Sequence, residues 1–233
     1  CFAHGVDLAL QTGIASKGVR MAAGKTIRVY LVDGTPTGVL TAEIINWSGK
    51  VIVAPRSQLA DLAKRSEVAR TGVYCLVGPD PDHPSRDKVY VGEADSVLAR
   101  LVSHDKDDAK EFWTRTVVVI SKDENLTKSH GRYLESRLIT LIHLTSRATL
   151  ANGTSPPTNP LPEPDVADME GFLEQVQLIF PVLGLSFLQA PLAEQVFAAG
   201  TLSSPRFLMT DVGTHATAIE SSGEFVVLKG STA

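Results

Sequence analysis

The sequence predicts an α/β chain of the α+β type, with a small, mainly antiparallel three-stranded sheet flanked by helices in its middle third. Three observations carry this. The runs Gly72–Val77, Lys88–Gly92 and Arg115–Ser121 are rich in β-branched and aromatic residues and bounded by turn formers. Two other segments repeat apolar residues at helical spacing instead. A stretch holding five prolines, Gly153 to Pro164, can continue neither a helix nor a sheet interior and reads as a linker.

Taken in order, residues 1–20 read as a disordered extension ahead of Met21, a natural start. Residues 21–69 form a β-rich segment, with runs Ile27–Val32, Val39–Ile45 and Val51–Ala54 separated by Asp33-Gly34 and Ser48-Gly49 turns. This predicts a small antiparallel unit of its own, followed by a short helix capped by Ser57, with Leu59, Leu62 and Ala63 at helical spacing. From 70 to 152 comes the main domain. Three prolines between Gly78 and Asp87 make that segment a loop. A helix follows with Asp95 as N-cap and Val97, Leu98, Leu101 and Val102 as its buried stripe. After the strand Arg115–Ser121, a second helix runs from about Thr127 to His143, with Leu134, Leu138, Leu141 and Ile142 on one face. Residues 153–164 are the linker. Residues 165–233 read as a helix broken or kinked at Pro181, then a hairpin of Ala216–Ile219 and Phe225–Leu228, the start of a partial domain.

Composition narrows the function classes. Shares of 43% hydrophobic and 21% charged residues suit a globular chain. Two cysteines, Cys1 and Cys75, build neither a disulfide framework nor a zinc site, which fits a reducing, cytoplasmic setting. No apolar run is long enough to span a bilayer. The net charge is −4, unevenly spread: eight Lys/Arg against five Asp/Glu in residues 1–69, twelve against twelve in 70–150, and two against nine in 151–233. A nucleic-acid footprint therefore belongs to the first two-thirds.

Several polar residues lie outside the apolar pattern: Tyr74 and Tyr90 in strands, Arg100 and His104 four apart on one helix face, Glu135 among hydrophobic neighbours, and Asn152 closing the segment. Gly72-Val73-Tyr74 and Tyr90-Val91-Gly92, followed by Arg100, His104, Glu135 and Asn152, resemble the GIY-YIG nuclease family, with Val for Ile in both signatures. The resemblance covers about a third of the chain. The flanks, Thr35-Pro-Thr-Gly38 through Ile45-Asn46-Trp47 and the closing Phe225-Val-Val-Leu-Lys-Gly-Ser231, resemble bacterial proteins that join a GIY-YIG domain to a C-terminal domain of unknown function. The loop between the tripeptides is longer than usual for the family, with the excess at a hairpin tip.

The resemblance implies hydrolysis of DNA phosphodiester bonds with Mg²⁺ or Mn²⁺ held by Glu135. It implies Gly72, Gly92 and Asn152 as supporting residues and leaves RNA open as a substrate. Arg100 would clamp phosphate oxygens with its planar fork. Tyr74 would act as general base or water-positioner, its pKa lowered from about 10 by a nearby cation. Tyr90 would position phosphate or support the water network. His104 would orient or deprotonate a tyrosine, or contact phosphate. The alternative is a nucleic-acid-binding or partner-binding module that keeps the fold without turnover. Lys128, Arg132 and Arg137 could line a DNA groove, although a solvated helix face accounts for them better. Gly24-Lys25-Thr26 lacks the glycine a phosphate-binding loop needs, since Val19 stands five before Gly24. His83, His130 and His143 have no partners at zinc spacing. Trp113 suits a core anchor better than a base-stacking platform. Nothing in the sequence sets an oligomeric state.

Overall fold

The computed structural model describes residues 24–84, 86–153, 160–189, 206–211, 214–221 and 224–227. The chain has an α+β fold built on a seven-stranded mixed sheet, mainly antiparallel, with four α-helices among the described residues. The strands are β1 (Ile27–Leu31), β2 (Leu40–Ile44), β3 (Gly49–Pro55), β4 (Gly72–Pro79), β5 (Asp87–Ala94), β6 (Arg115–Ser121) and β7 (Ala148–Leu150), in spatial order β1-β2-β3-β6-β4-β5-β7. The expected three-stranded sheet, β4, β5 and β6, is therefore one part of a larger one.

The reason lies in β6. Its Val117-Val118-Val119-Ile120 is buried on both faces, unlike the alternation of a one-sided strand. Such a strand needs a partner on each edge. It finds β4 on one side and β3 on the other, the latter paired along its whole length from Gly49↔Ser121 to Pro55↔Arg115. The N-terminal β segment is thus continuous with the central strands. At the far edge, β7 pairs in parallel with β5 from Asp87↔Ala148 to Val89↔Leu150, a three-residue strand too short to show a period.

The helices are α1 (Leu59–Leu62), α2 (Val97–Asp105), α3 (Lys128–Thr145) and α4 (Glu163–Val182). Two capping expectations are corrected. Ser57 lies inside a 3₁₀ turn and Gln58 precedes α1 with no side-chain cap. Ser96, not Asp95, caps α2, its hydroxyl accepting from the Ala99 N–H. The α2 stripe also differs: Val102 is exposed, and His104 is buried with Val97 and Leu101. In α3, Thr127 and His130 form a reciprocal capping box. Pro181 falls in the last turn of α4, where little helix remains beyond it to be broken, and α4 runs on to Val182.

The two faces of the sheet carry two cores. On one, α3 and α4 cover Val51, Val53, Val73, Cys75, Val77, Val89, Val91, Val117 and Val119. On the other, α2 and the segment around Val68 cover Ile52, Tyr74, Leu76, Val118, Ile120 and Trp113. Trp113, 1% exposed, is the core anchor expected of it. A separate antiparallel sheet holds β8 (Arg206–Asp211), β9 (Thr214–Ser221) and β10 (Glu224–Val227); its β9–β10 pair matches the expected hairpin, while β8 was not legible. Residues 1–20 and residues 154–159 of the proline-rich stretch lie outside the described residues. No described helix is long and apolar enough to cross a membrane.

Candidate active site

The site starts from a cross-strand register. Tyr74 on β4 lies opposite Gly92 on β5, and Leu76 opposite Tyr90, so both tyrosines project from one face on a diagonal. Gly92 leaves the space above it to its partner. A Cβ there would lie 2.4 Å from the Tyr74 hydroxyl and 2.5 Å from its Cζ. The phenol therefore folds across the place where any other residue would put a side chain. Gly72 is packed just as closely against the Val119 carbonyl.

α2 supplies the next two groups. With Ser96 as cap and Val97 and Leu101 buried, the turn that follows aims His104 at the sheet. Its Nε2 lies 2.8 Å from the Tyr74 hydroxyl. The rings of Tyr74, Tyr90 and His104 pack together with centroids 5.4 to 6.4 Å apart. Arg100, one turn earlier and exposed, acts electrostatically on the Tyr74 hydroxyl. Glu135, half-buried on α3, acts electrostatically on both tyrosines and on Arg100. The cluster thus grades from buried Tyr74 and His104, through half-buried Tyr90 and Glu135, to exposed Arg100.

Burial governs the protonation of these groups. It pushes the Tyr74 phenol above its ordinary value, reinforced by Tyr90, and the Arg100 guanidinium offsets this only in part. The cation-lowered tyrosine expected from sequence is therefore corrected: desolvation outweighs the neighbouring charge. Tyr90 is raised too, first by burial and then by Glu135. His104 is pushed down to about 4 by burial, Lys110 and Arg100, so it is a neutral imidazole at pH 7. Glu135 is pushed up to about 7, by burial and then by repulsion from Glu93.

Glu93 and Lys110 are the residues sequence reasoning missed. The Glu93 carboxylate has one oxygen 3.5 Å from Arg132 and the other buried without a hydrogen-bond partner. Its signal was its place, directly after Gly92. Lys110 stands 3.6 Å over the Tyr90 ring centroid, a cation–π contact across a loop that no periodicity reveals. Among the described residues, no group of three or more His, Cys, Asp or Glu is arranged to hold a metal. The donor set is instead the carboxylate pair Glu135 and Glu93. It suits a hard divalent cation that keeps most of its water, and such a cation would relieve the like-charge repulsion and engage the orphaned oxygen.

Asn152 supports the site at a distance. Its side chain accepts from the Val91 N–H at 2.9 Å and donates to the Val91 carbonyl at 2.8 Å. It extends the pairing that β7 begins and fixes β5 beside Tyr90. Each proposed groove residue faces a carboxylate: Lys128 meets Asp95 at 2.7 Å, Arg132 meets Glu93, and Arg137 meets Glu170 at 2.5 and 2.9 Å. His130 is occupied in its capping box and His83 pairs with buried Asp80 at 3.1 Å. Compared with protein-family models, with curated proteins and with solved structures, the chain matches none.

Proposed function

We propose that the chain is a metal-dependent endonuclease that hydrolyses DNA phosphodiester bonds, as the GIY-YIG nucleases it resembles do. The observation that carries this reading is the hydrogen bond between buried Tyr74 and His104, packed against Tyr90 and within the field of Arg100 and Glu135. Polar groups spread from Tyr74 to Glu135 meet in one cluster, and the apolar pattern accounts for none of them.

The chemistry follows from the protonation states. Tyr74 is a phenol and His104 a neutral base, so proton transfer runs as a relay. A water gives a proton to the Tyr74 oxygen as the phenolic proton passes to His104 Nε2, and the hydroxide oxygen attacks phosphorus while the leaving oxygen departs. Arg100, exposed beside the phenol, donates to the phosphate oxygens. Tyr90, braced by Lys110, positions the phosphate or supports the water network. Mg²⁺ or Mn²⁺ at Glu135, with Glu93 alongside, would neutralise charge on the phosphate and the leaving group.

Incubating supercoiled, linear and branched DNA with Mg²⁺ tests this, comparing the natural chain with Glu135→Ala. Nicking by the natural chain alone is expected. Equal nicking by both would assign the activity to something other than this site. Binding without cleavage under both Mg²⁺ and Mn²⁺ would replace the enzyme reading with the binding-module one.

A further inference from the structure

The two edges of the large sheet are finished differently. At one, β7 is three residues long, and Asn152 beyond it occupies the Val91 N–H and carbonyl. At the other, β1 ends the strand order, and no proline, bulge or described segment blunts it. Val29 and Tyr30 are 42% and 59% exposed there. Lys25 hydrogen-bonds Gln175 of α4, and Leu178 and Val182 follow on that same helix face, also exposed. The ladder to β2 decides which backbone groups remain. Val32 donates to Val39 and Thr26 accepts from Ile45, so the even-numbered residues face β2. Ile27, Val29 and Leu31 therefore turn their N–H and C=O groups outward. The Leu31 carbonyl accepts from Gly34 in the turn, and the others have no partner among the described residues.

We propose that β1 pairs antiparallel with β1 of a second copy of this chain, about a two-fold axis at Val29. This register alone joins the three outward-facing residues among themselves: Val29 meets its own copy, and Ile27 meets Leu31 on each side. The side chains agree with it. Arg28 stands opposite Tyr30 on both sides of the axis, a guanidinium against an aromatic ring. Lys25 falls opposite Asp33, a positive charge against a negative one. Lys25 also holds Gln175 and Asp33 also holds Thr35, and an ammonium and a carboxylate have capacity for both. Centring the axis on Arg28 would instead set two guanidinium groups face to face. Glu43, the neighbour of Arg28 on β2, is held by Lys50 and Lys122, and Arg28 has no ion-pair partner among the described residues. Val29 lies opposite Ala42, on the sheet face that α4 covers. The pairing thus brings both copies of Val29, with the Leu178 and Val182 flanks, to one side of the joined sheet. It stands independently of the nuclease reading.

Sedimentation of the full chain measures self-association, and a dimer is expected. Val29→Pro removes only an outward N–H, so β1 keeps its ladder to β2 and the circular dichroism should be unchanged. Both copies lose that bond and the ring crowds the partner strand, so the dissociation constant should rise at least about tenfold. Register is read by cysteine cross-linking in a Cys1→Ser background, where the remaining Cys75 is buried. Opposed residues of a pair without backbone hydrogen bonds lie close enough for a disulfide, and diagonal ones do not. Arg28→Cys chains mixed with Tyr30→Cys chains should therefore cross-link at least about tenfold more than either variant alone. Should Val29→Pro unfold the chain, the cross-linking decides by itself. A natural chain that sediments as a monomer overturns the proposal, and if removing residues 1–23 then yields a dimer, the edge belongs to that segment. A dimer that Val29→Pro leaves as tight, or Arg28→Cys chains that cross-link among themselves as readily as with Tyr30→Cys chains, would overturn it as well.

Discussion

Replacing Glu135 by Gln is expected to stabilise the protein while removing its activity, and pH is what exposes the effect. The carboxyl titrates near 4.5 in the unfolded chain and is pushed up to about 7 in the folded one by burial and Glu93. The folded state holds this proton more tightly, so the contribution to stability is complete below about 4.5 and is lost as pH rises through about 7. At full value a shift of that size corresponds to about 3 kcal/mol. Glu135 is only half-buried, so solvent screening brings the expected loss to about 1 kcal/mol. Gln keeps the shape and never ionises. Urea melts in chelator at pH 5 and pH 8 measure the difference. The natural chain should lose about 1 kcal/mol more than Glu135→Gln between the two, or about 2–4 °C in Tm for a chain of this size. Mg²⁺ should restore the natural chain at pH 8 and leave the variant unmoved. A variant no more stable than the natural chain at pH 8, or a difference that ignores pH, refutes the reasoning.

Gly92→Ala should fold yet cut at least a hundredfold more slowly, because its Cβ would displace the Tyr74 hydroxyl from His104; a folded protein by circular dichroism with full cleavage would contradict this. Tyr74→Phe and His104→Ala should each lower turnover by about 10²–10⁴ with little change in KM, and the double variant should be no worse than the weaker single one if the two act as one relay, as steady-state cleavage kinetics would show. Asn152→Ala leaves the Val91 N–H and carbonyl without their partner and should cost about 1–3 kcal/mol in urea melts. Mn²⁺ affinity, read by spin resonance, should rise with pH through about 7 as Glu135 releases its proton, and the rise should be absent in Glu135→Gln.

The central β4–β5–β6 strands and helices α2, α3 and α4 were legible because each is long enough to show a period. The pairing of β3 to β6 was not, since it is a long-range choice among β runs. The one clue was the uninterrupted apolar Val117–Ile120, which asks for neighbours on both edges. At the site, Tyr74, Tyr90, Arg100, His104 and Glu135 could be named from motif and spacing. Their protonation could not, because it depends on how deeply Tyr74 and His104 are buried. Glu93 and Lys110 escaped because an acid after a strand glycine and a lysine in a charged loop look like solvated residues until the sheet sets Glu93 within the field of Glu135 and the 3₁₀ turn at Asp108–Lys110 brings Lys110 over Tyr90. Asn152 was found by its place, but its work, standing in for a strand on the open side of β5, shows only in three dimensions.

The full-length pairing of β3 with β6 changes what may be cut away. Trimming the chain at residue 70 to isolate the third that holds the candidate site would strip β3 from β6 between Arg115 and Ser121 and leave the backbone groups of every second residue there without partners. It would leave a bare, valine-rich edge of the kind that recruits other chains. The shortened protein would be expected to aggregate, so the N-terminal strands serve as its edge guard and belong in any fragment meant to keep the candidate site folded.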